Sequence, residues 1–379
     1  MEQKMELPHP TFDKPSKGHA ASKYSGTTAS QHGGMWTDLD NAKEILASKL
    51  ELGLINDEQT EHLANFIDNG YVILNKLIPD DLIDSFLADQ ELIKQGRVDG
   101  HYVEYIHQGQ HFHGKPFTSD LIGKSFKLID VYAQSESARK INLNQKITEF
   151  LGLIFEQPAL AFQSLSFFTG SGQSIHQDTT YVRVSSPLEL VATWVALEDV
   201  VEGSGELEFF SGSHKLPDFN FPGNPGSTNW FENGKSKWFD RKNFDVHSQY
   251  VKWLSSESEQ RGLQRKKFIA KKGDVLFWTN DFAHGGAPVT KPNHSRLSLV
   301  THYCPVNVNP YYFYTRFHAP KIQYSDTCSY TFVDHESKPI PLKFDDERYL
   351  QLHSDVQAAN LNAKFHYSYF GKNENRAIK

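Results

Sequence analysis

Apolar positions recur with helical spacing in several segments between about residues 37 and 155. Thr37-Asp38-Leu39-Asp40 reads as a helix start, and Ile45, Leu46 and Leu50 supply the stripe behind it. Asn56 opens a second helix, with Gln59 three residues on as in a capping box. Leu63, Phe66 and Ile67 share its inward face, and Gly70 is placed to end it. Tyr71-Val72-Ile73-Leu74 is then a short strand. Pro79 and Asp80 start a third helix that turns Leu82, Ile83, Phe86 and Leu87 inward and stops near Gly96. A further helix is expected over about 140–155.

From Phe126 onward the rhythm shortens. Besides that helix, short β-rich runs lie at 159–168, 175–184, 191–197, 207–210, 268–270, 275–278 and 296–303, separated by Gly, Pro, Ser and Asp. Short strands at this spacing predict an antiparallel sandwich or barrel with one core. Two stretches break the pattern. Residues 1–35 lack periodicity and read as a mobile or extended N-terminal arm. Residues 214–267 hold Phe219, Phe221, Trp230, Phe231, Trp238, Phe239, Phe244, Tyr250 and Trp253 among Gly, Asn, Lys and Ser. Rings in that number argue against disorder, which leaves an ordered lid over a pocket or a satellite core. The expected organisation is one domain over 36–379, helical over 36–155, with this aromatic insertion.

Composition narrows the function. With 379 residues, 38% hydrophobic and 22% charged, the chain can bury a substantial core. A net charge of −7 with a pI near 6.2 argues against a nucleic-acid binder. Cys304 and Cys328 are the only cysteines, too few for a disulfide scaffold or a Cys-rich zinc module. The start Met1-Glu2-Gln3-Lys4-Met5-Glu6-Leu7 has no apolar core of a secretion signal, and no apolar run approaches the roughly 20 residues of a membrane span. A cytoplasmic protein without a membrane span is the expectation. No pattern in the chain sets an oligomeric state.

Candidate chemistry lies in two segments. In Ser174-Ile175-His176-Gln177-Asp178-Thr179, an extended backbone would point His176 and Asp178 to one side. The run Gly273-Asp274-Val275-Leu276-Phe277-Trp278 suits a turn and a buried strand, with His284 where that strand opens out. Two histidines and one carboxylate on one face of a metal leave the opposite positions open, a pattern associated with non-haem Fe(II) oxygenases. A His-x-Asp alone arises often by chance, so a surface pair is the competing reading. Arg296 lies twelve positions after His284 in an alternating run that places it with Ser298 and Val300. An arginine there needs an anion, either a carboxylate cosubstrate held bidentately or a local Asp or Glu.

The blocks Gly170-Ser171-Gly172-Gln173 through Asp178, Trp194-Val195-Ala196-Leu197-Glu198-Asp199-Val200, and Gly205-Glu206-Leu207-Glu208-Phe209-Phe210-Ser211-Gly212-Ser213-His214 resemble the phytanoyl-CoA dioxygenase family. Gly273-Asp274 through His284, and then Arg296, complete the set over about 126–305. Ser211 stands where the family has Pro, and Gly286 where relatives often carry a hydroxyl. The resemblance implies an α+β, mainly β fold, a double-stranded β-helix (jelly roll, cupin-like) with N-terminal helices packed outside. It implies Fe(II) on His176, Asp178 and His284, and 2-oxoglutarate with its distal carboxylate on Arg296. It also implies Trp194 bordering that cosubstrate and Lys127 near its carboxylate, against a core Trp and a surface Lys.

The implied activity is hydroxylation of an unactivated C–H bond of a small organic substrate, using O2 and releasing succinate and CO2, with ascorbate as reductant. An Asp ligand points to hydroxylation or another oxidation rather than halogenation. Rival readings are a non-catalytic jelly-roll metal-binding protein and a zinc hydrolase on the same ligands. Neither accounts for Arg296. The run Arg265-Lys266-Lys267 with Lys271 and Lys272 is the one dense cation cluster that a coenzyme A thioester could use, and it reads equally as a solvated strand edge. The aromatic insertion favours a moderately apolar small molecule or natural-product intermediate. His214 is expected to bond backbone and His302 to be interior.

Overall fold

A computed structural model describes residues 23–221 (apart from 99, 108, 109 and 123), 231–232, 235–236, 244–311, 321–332, and 344–378 (apart from 359–362, 368–370, 372 and 373). The described part of the expected mobile or extended arm, 23–35, makes contacts with the body of the protein. Met35 and Trp36 are fully buried, Thr28 bridges Leu39, and Ser30 and Gln31 bond the Asp218 carboxylate.

Helices α1 (Ala42–Glu51) and α2 (Asp57–Asn69) follow. The α2 capping box forms as the pattern requires: Gln59 N–H donates to Asn56 Oδ1 at 2.8 Å, and Asn56 N–H to Gln59 Oε1 at 3.0 Å. Gly70 ends α2 at φ +78°, and a Cβ there would sit 2.5 Å from His214 Nδ1. Strand β1 (Tyr71–Leu74) and α3 (Asp80–Lys94) come next, then β2 (Tyr102–His107), β3 (Gln110–Pro116) and β4 (Lys127–Ile129). The last three were not expected, because their residues are largely His, Gln, Lys and Tyr and show no clean apolar alternation. The helix expected over 140–155 is two helices, α4 (Glu136–Asn142) and α5 (Gln145–Phe155). Asn144 divides them by accepting from Lys146 N–H to cap the second.

The β region comprises β5 (Ala159–Phe167), β6 (Arg183–Val184), β7 (Val191–Ala196), β8 (Leu207–Phe210), the two-residue β9 (Phe231–Glu232) and β10 (Lys235–Ser236), then α6 (Phe244–Gln260), β11 (Arg265–Phe268), β12 (Val275–Thr279), β13 (His284–Gly286) and β14 (Ser298–Pro305). Beyond it lie β15 (Pro310–Tyr311), β16 (Lys321–Gln323), β17 (Cys328–Phe332) and helices α7 (Asp346–Leu352), α8 (Ser354–Ala358) and α9 (Ala363–His366). A large sheet runs β1-β12-β7-β14-β5-β4-β2-β3, and a small one β11-β8-β13. The small sheet is extended by an antiparallel bridge from His176 to His284. From β5 onward the chain therefore alternates between sheets: β5, His176, β7, then β8 and β11, β12, β13, β14. That winding is a double-stranded β-helix, the fold the resemblance implies.

The two faces of the large sheet divide the core. Val191, Val195, Val275, Phe277, Leu299 and Tyr303 pack outward against Phe66, Phe86 and Phe150 of the helices. Ala192, Trp194, Leu276, Trp278 and Val300 point inward against Leu207, Phe209 and Phe268 of the small sheet. The helices thus lie outside the barrel, and burial of each large ring contributes roughly 1.5–3 kcal/mol.

Two further expectations need correction. Residues 175–184 do not form one strand, and 214–267 are not irregular throughout, since α6 lies within them and β11 edges the small sheet. Phe219, Phe221, Tyr250 and Trp253 pack with Ile175, Phe210 and Leu254 as a satellite core. Trp230, Trp238 and Phe239 lie outside the described residues, so the lid reading is not addressed there. Among the described residues no helix is long and apolar enough to cross a membrane.

Candidate active site

His176 and His284 exchange both backbone hydrogen bonds, 2.8 Å and 2.9 Å, which sets their rings 4.5 Å apart. Gly285 permits the approach, since a Cβ there would lie 2.8 Å from Gln173 O. After His176 the backbone turns: Asp178–Thr180 is a 3-10 turn, not the extended strand expected. The turn is held by Thr180 Oγ1 donating to Gln177 O, Thr179 N–H donating to Asn280 O, and Tyr250 Oη of α6 accepting from Gln177 N–H. His176 and Asp178 still reach one point, but through this turn rather than through strand alternation.

Asp178 Oδ1 lies 3.8 Å from His176 Nε2 and 3.7 Å from His284 Nε2, and all three residues are buried. Their ligand atoms fall within 4.8 Å of one another. Each ring places Nδ1 on a carbonyl, His176 on Ser174 O at 2.8 Å and His284 on Phe282 O at 2.9 Å. A carbonyl only accepts, so both Nδ1 atoms carry a proton and both Nε2 atoms are turned toward Asp178. Burial, and then His284, push the His176 imidazole down to about 3 against the pull of Asp178. Burial works to raise the Asp178 carboxyl, yet His284, His302 and His176 outweigh it and hold it well below the usual carboxylate range. A neutral His176 imidazole beside an ionised Asp178 carboxylate suits a divalent cation.

Arg296 is 3% exposed, with its guanidinium over the rings of Phe167 (5.2 Å) and Trp194 (5.7 Å). Nη1 donates to Ser298 Oγ at 2.6 Å, Nη2 reaches Thr169 O at 3.4 Å, and buried Nε has no partner. Burial lowers its pKa to about 10, opposed by Glu198 at longer range, so it stays charged at neutral pH. No carboxylate among the described residues forms an ion pair with it, so the structural-ion-pair alternative is not what holds it. Trp194 is 1% exposed, and its Nε1 is likewise without a partner. Lys127 differs. Its Nζ pairs with buried Glu104 at 2.6 Å and sits over the same Phe167 ring at 5.2 Å. Its Nζ is thus engaged by Glu104, beside the ring that Arg296 also covers. The place a side chain at 286 would fill is taken by Ser171 Oγ, 2.6 Å from an ideal Cβ.

Sequence reasoning passed over Trp278, whose Nε1 donates to Asp178 Oδ2 at 2.8 Å. Its even spacing with Leu276 on a buried strand marked it only as core. His302, expected as a satisfied interior imidazole rather than a pocket-lining one, is buried but stands at the site, with Nε2 3.4 Å from the same oxygen and neither ring nitrogen in a hydrogen bond. His214 Nε2 meets Ile67 O at 3.1 Å, the backbone role expected of it.

The family model for phytanoyl-CoA dioxygenase (PhyH) matches residues 66–297. The chain belongs to this family. A curated PhyH relative, the phytanoyl-CoA dioxygenase domain-containing protein 1 homolog of Caenorhabditis briggsae, is 30% identical over 99 residues, covering 25% of this chain and 32% of that protein. The chain thus spans about a third of the length of that relative. Among solved structures, it is similar to the non-heme alpha ketoglutarate dependent epimerase SnoN from nogalamycin biosynthesis, at TM-score 0.46 and 15% identity, covering 66% of this chain and 84% of that one. It is also similar to EctD from S. alaskensis with bound Fe, at TM-score 0.43 and 15% identity, covering 66% and 77%. For a PhyH protein with this triad the cofactors are iron and 2-oxoglutarate. The residues fit both: an N,N,O donor set for the metal, and a buried guanidinium with an orphaned Nε for an anion.

Buried neutral histidines also set an acid limit on the metal-free protein. Burial lowers His101 to about 4, and burial with His284 lowers His176 to about 3, from 6.5. Unfolding lets each take up a proton below 6.5, so the unfolded state binds more protons between that pH and the folded values. The contribution of these two histidines to stability therefore falls as pH drops through this window, while the carboxyls of Asp38, raised by burial to about 7, and Asp281, raised well above its ordinary value, act in the opposite direction. Linkage gives a loss on the order of 2 kcal/mol per residue near pH 4.5. The check is the fall in urea midpoint of apo protein from about pH 7 to about pH 4.5 in wild type against His101→Phe: the variant's fall should be the smaller, and an equal fall in a folded variant would contradict it.

Proposed function

We propose that the chain is an Fe(II)- and 2-oxoglutarate-dependent dioxygenase that hydroxylates an unactivated C–H bond of a small organic molecule. One observation carries the reading: two Nε2 atoms and a carboxylate oxygen converge in the barrel that also encloses a buried arginine with no carboxylate of its own. His176, Asp178 and His284 would hold the metal, Arg296 the distal carboxylate of 2-oxoglutarate, and Trp194 the wall beside it. Bound there, Fe(II) supplies dioxygen activation at the expense of 2-oxoglutarate, which leaves as succinate and CO2. The chain's own residues fix ligand protonation through the Nδ1 bonds, orient the anion, and exclude water with Trp194, Phe209, Phe268 and Phe282.

A non-catalytic metal site or a zinc hydrolase would use the same triad, but nothing in either calls for Arg296. The cations at 265–272 favour a substrate other than a coenzyme A thioester, since each is engaged. Arg265 pairs with Glu208, Lys267 with Glu202 and Glu206, Lys271 with Asp199 and Lys272 with Asp84, while Lys266 reaches Tyr71 Oη. A moderately apolar metabolite matches the aromatic surroundings better. The test is succinate release from 2-oxoglutarate by the protein loaded with Fe(II) and ascorbate, followed by mass-spectrometric screening of metabolites for a gain of one oxygen. Succinate above the metal-free and Zn(II) controls is expected, and its absence under every substrate mixture would refute the oxygenase reading.

A further inference from the structure

We infer that Trp278 is the positioning residue for Asp178, holding one carboxylate oxygen so that only the other can face the metal. This rests on the reading of the triad as a metal site and adds to it the device that sets the carboxylate's orientation. The large sheet builds the grip. Trp278, Ala192, His302 and Gln163 are register partners in one row across β12, β7, β14 and β5, so their side chains share its inner face. Ala192 is the small residue between two rings, and the gap admits the Asp178 carboxylate from the opposite side of the barrel. Trp278 Nε1 donates to Oδ2 at 2.8 Å, and His302 Nε2 stands 3.4 Å from the same atom, while Oδ1 alone faces the two histidine Nε2 atoms. The Trp278 ring also lies 4.7 Å from that of His284, so one side chain braces two of the three candidate ligands.

The chemical consequence follows from counting positions. A carboxylate that turns to offer both oxygens would occupy a position that a chelating cosubstrate or dioxygen needs. An indole N–H at 2.8 Å on Oδ2 forbids that turn. A purely structural Trp278 would affect folding and leave the metal's surroundings alone.

The test is Trp278→Phe, which keeps the ring against His284 and removes the donor. Co(II) titration of purified wild-type and variant protein is read by calorimetry and by the cobalt absorption spectrum. Wild type is expected to bind one Co(II). In the variant the dissociation constant should rise about 10- to 100-fold, the usual cost of losing a partner of a ligand, with a changed cobalt spectrum. The apparent KM for 2-oxoglutarate should rise more than kcat falls. Unchanged affinity and spectrum in a folded variant would overturn the inference. A wild type that binds no Co(II) would instead overturn the metal reading itself. Should the variant fail to fold, NMR of wild-type protein titrated with Zn(II) decides. The Trp278 indole proton should be slow to exchange and move on metal addition, and a resonance that Zn(II) leaves in place counts against the role.

Discussion

The His284→Ala protein is expected to lose Fe(II) binding and to release succinate more than about a hundred-fold more slowly than wild type, beyond the usual cost of removing a mere partner of a ligand. The variant should still fold, because His284 pairs with His176 through backbone atoms, 2.8 Å and 2.9 Å, that the substitution leaves in place. What is lost is one Nε2 and the ring contacts with His176 and Trp278. The deletion leaves a shaped cavity whose walls are the remaining ligands, so exogenous imidazole has a place to sit. Partial return of turnover with added imidazole is therefore the second expected result. Circular dichroism controls for folding, and bound iron is counted colorimetrically. Retention of stoichiometric iron by the folded variant would remove His284 from the ligand set.

Much of this site could be read from residue types, and the unread part has a common physical cause. The triad is three residues whose chemistry announces itself, and Arg296 stands out as a charge in an apolar run. The capping box at Asn56 and Gln59 and the stop at Gly70 were equally legible, because caps are local. Trp278 was not, since a tryptophan on a buried strand looks the same whether its N–H is idle or donates to a ligand. Only the register of β12 against β7 and β14 decides that. Strands β2 to β4 were missed for a related reason: their pairing is set by a neighbour rather than by their own alternation. The turn at Asp178–Thr180 lies in a run whose Val182 and Val184 carry β propensity, while bonds donated to Tyr250 and Asn280, distant in the chain, impose the bend. Lys127 was placed by likeness, and its pairing with Glu104 is again a matter of register, β4 against β2, that its own run does not show.

Arg296→Leu is expected to separate cosubstrate binding from stability. Losing one partner of a buried charge pair costs about 2–5 kcal/mol. The KM for 2-oxoglutarate should accordingly rise by at least about thirty-fold, at 1.4 kcal/mol per tenfold, while Fe(II) still binds. Arg296→Lys should recover little, because an ammonium cannot reproduce a planar fork over Phe167 and Trp194. In the cofactor-free protein the sign reverses. There the guanidinium is buried without a carboxylate partner, its Nε without an acceptor, and burial drags its pKa down to about 10. A leucine of similar volume removes that cost, so the variant should melt at or above the wild-type temperature when 2-oxoglutarate is absent. Adding 2-oxoglutarate with a redox-inert divalent metal should raise the wild-type Tm and leave the variant's unchanged. A variant that melts well below wild type without cosubstrate would mean that Arg296 holds the fold together. A protein that keeps an unanswered charge in its core at a cost to its own stability is one whose core is completed by an anion from outside.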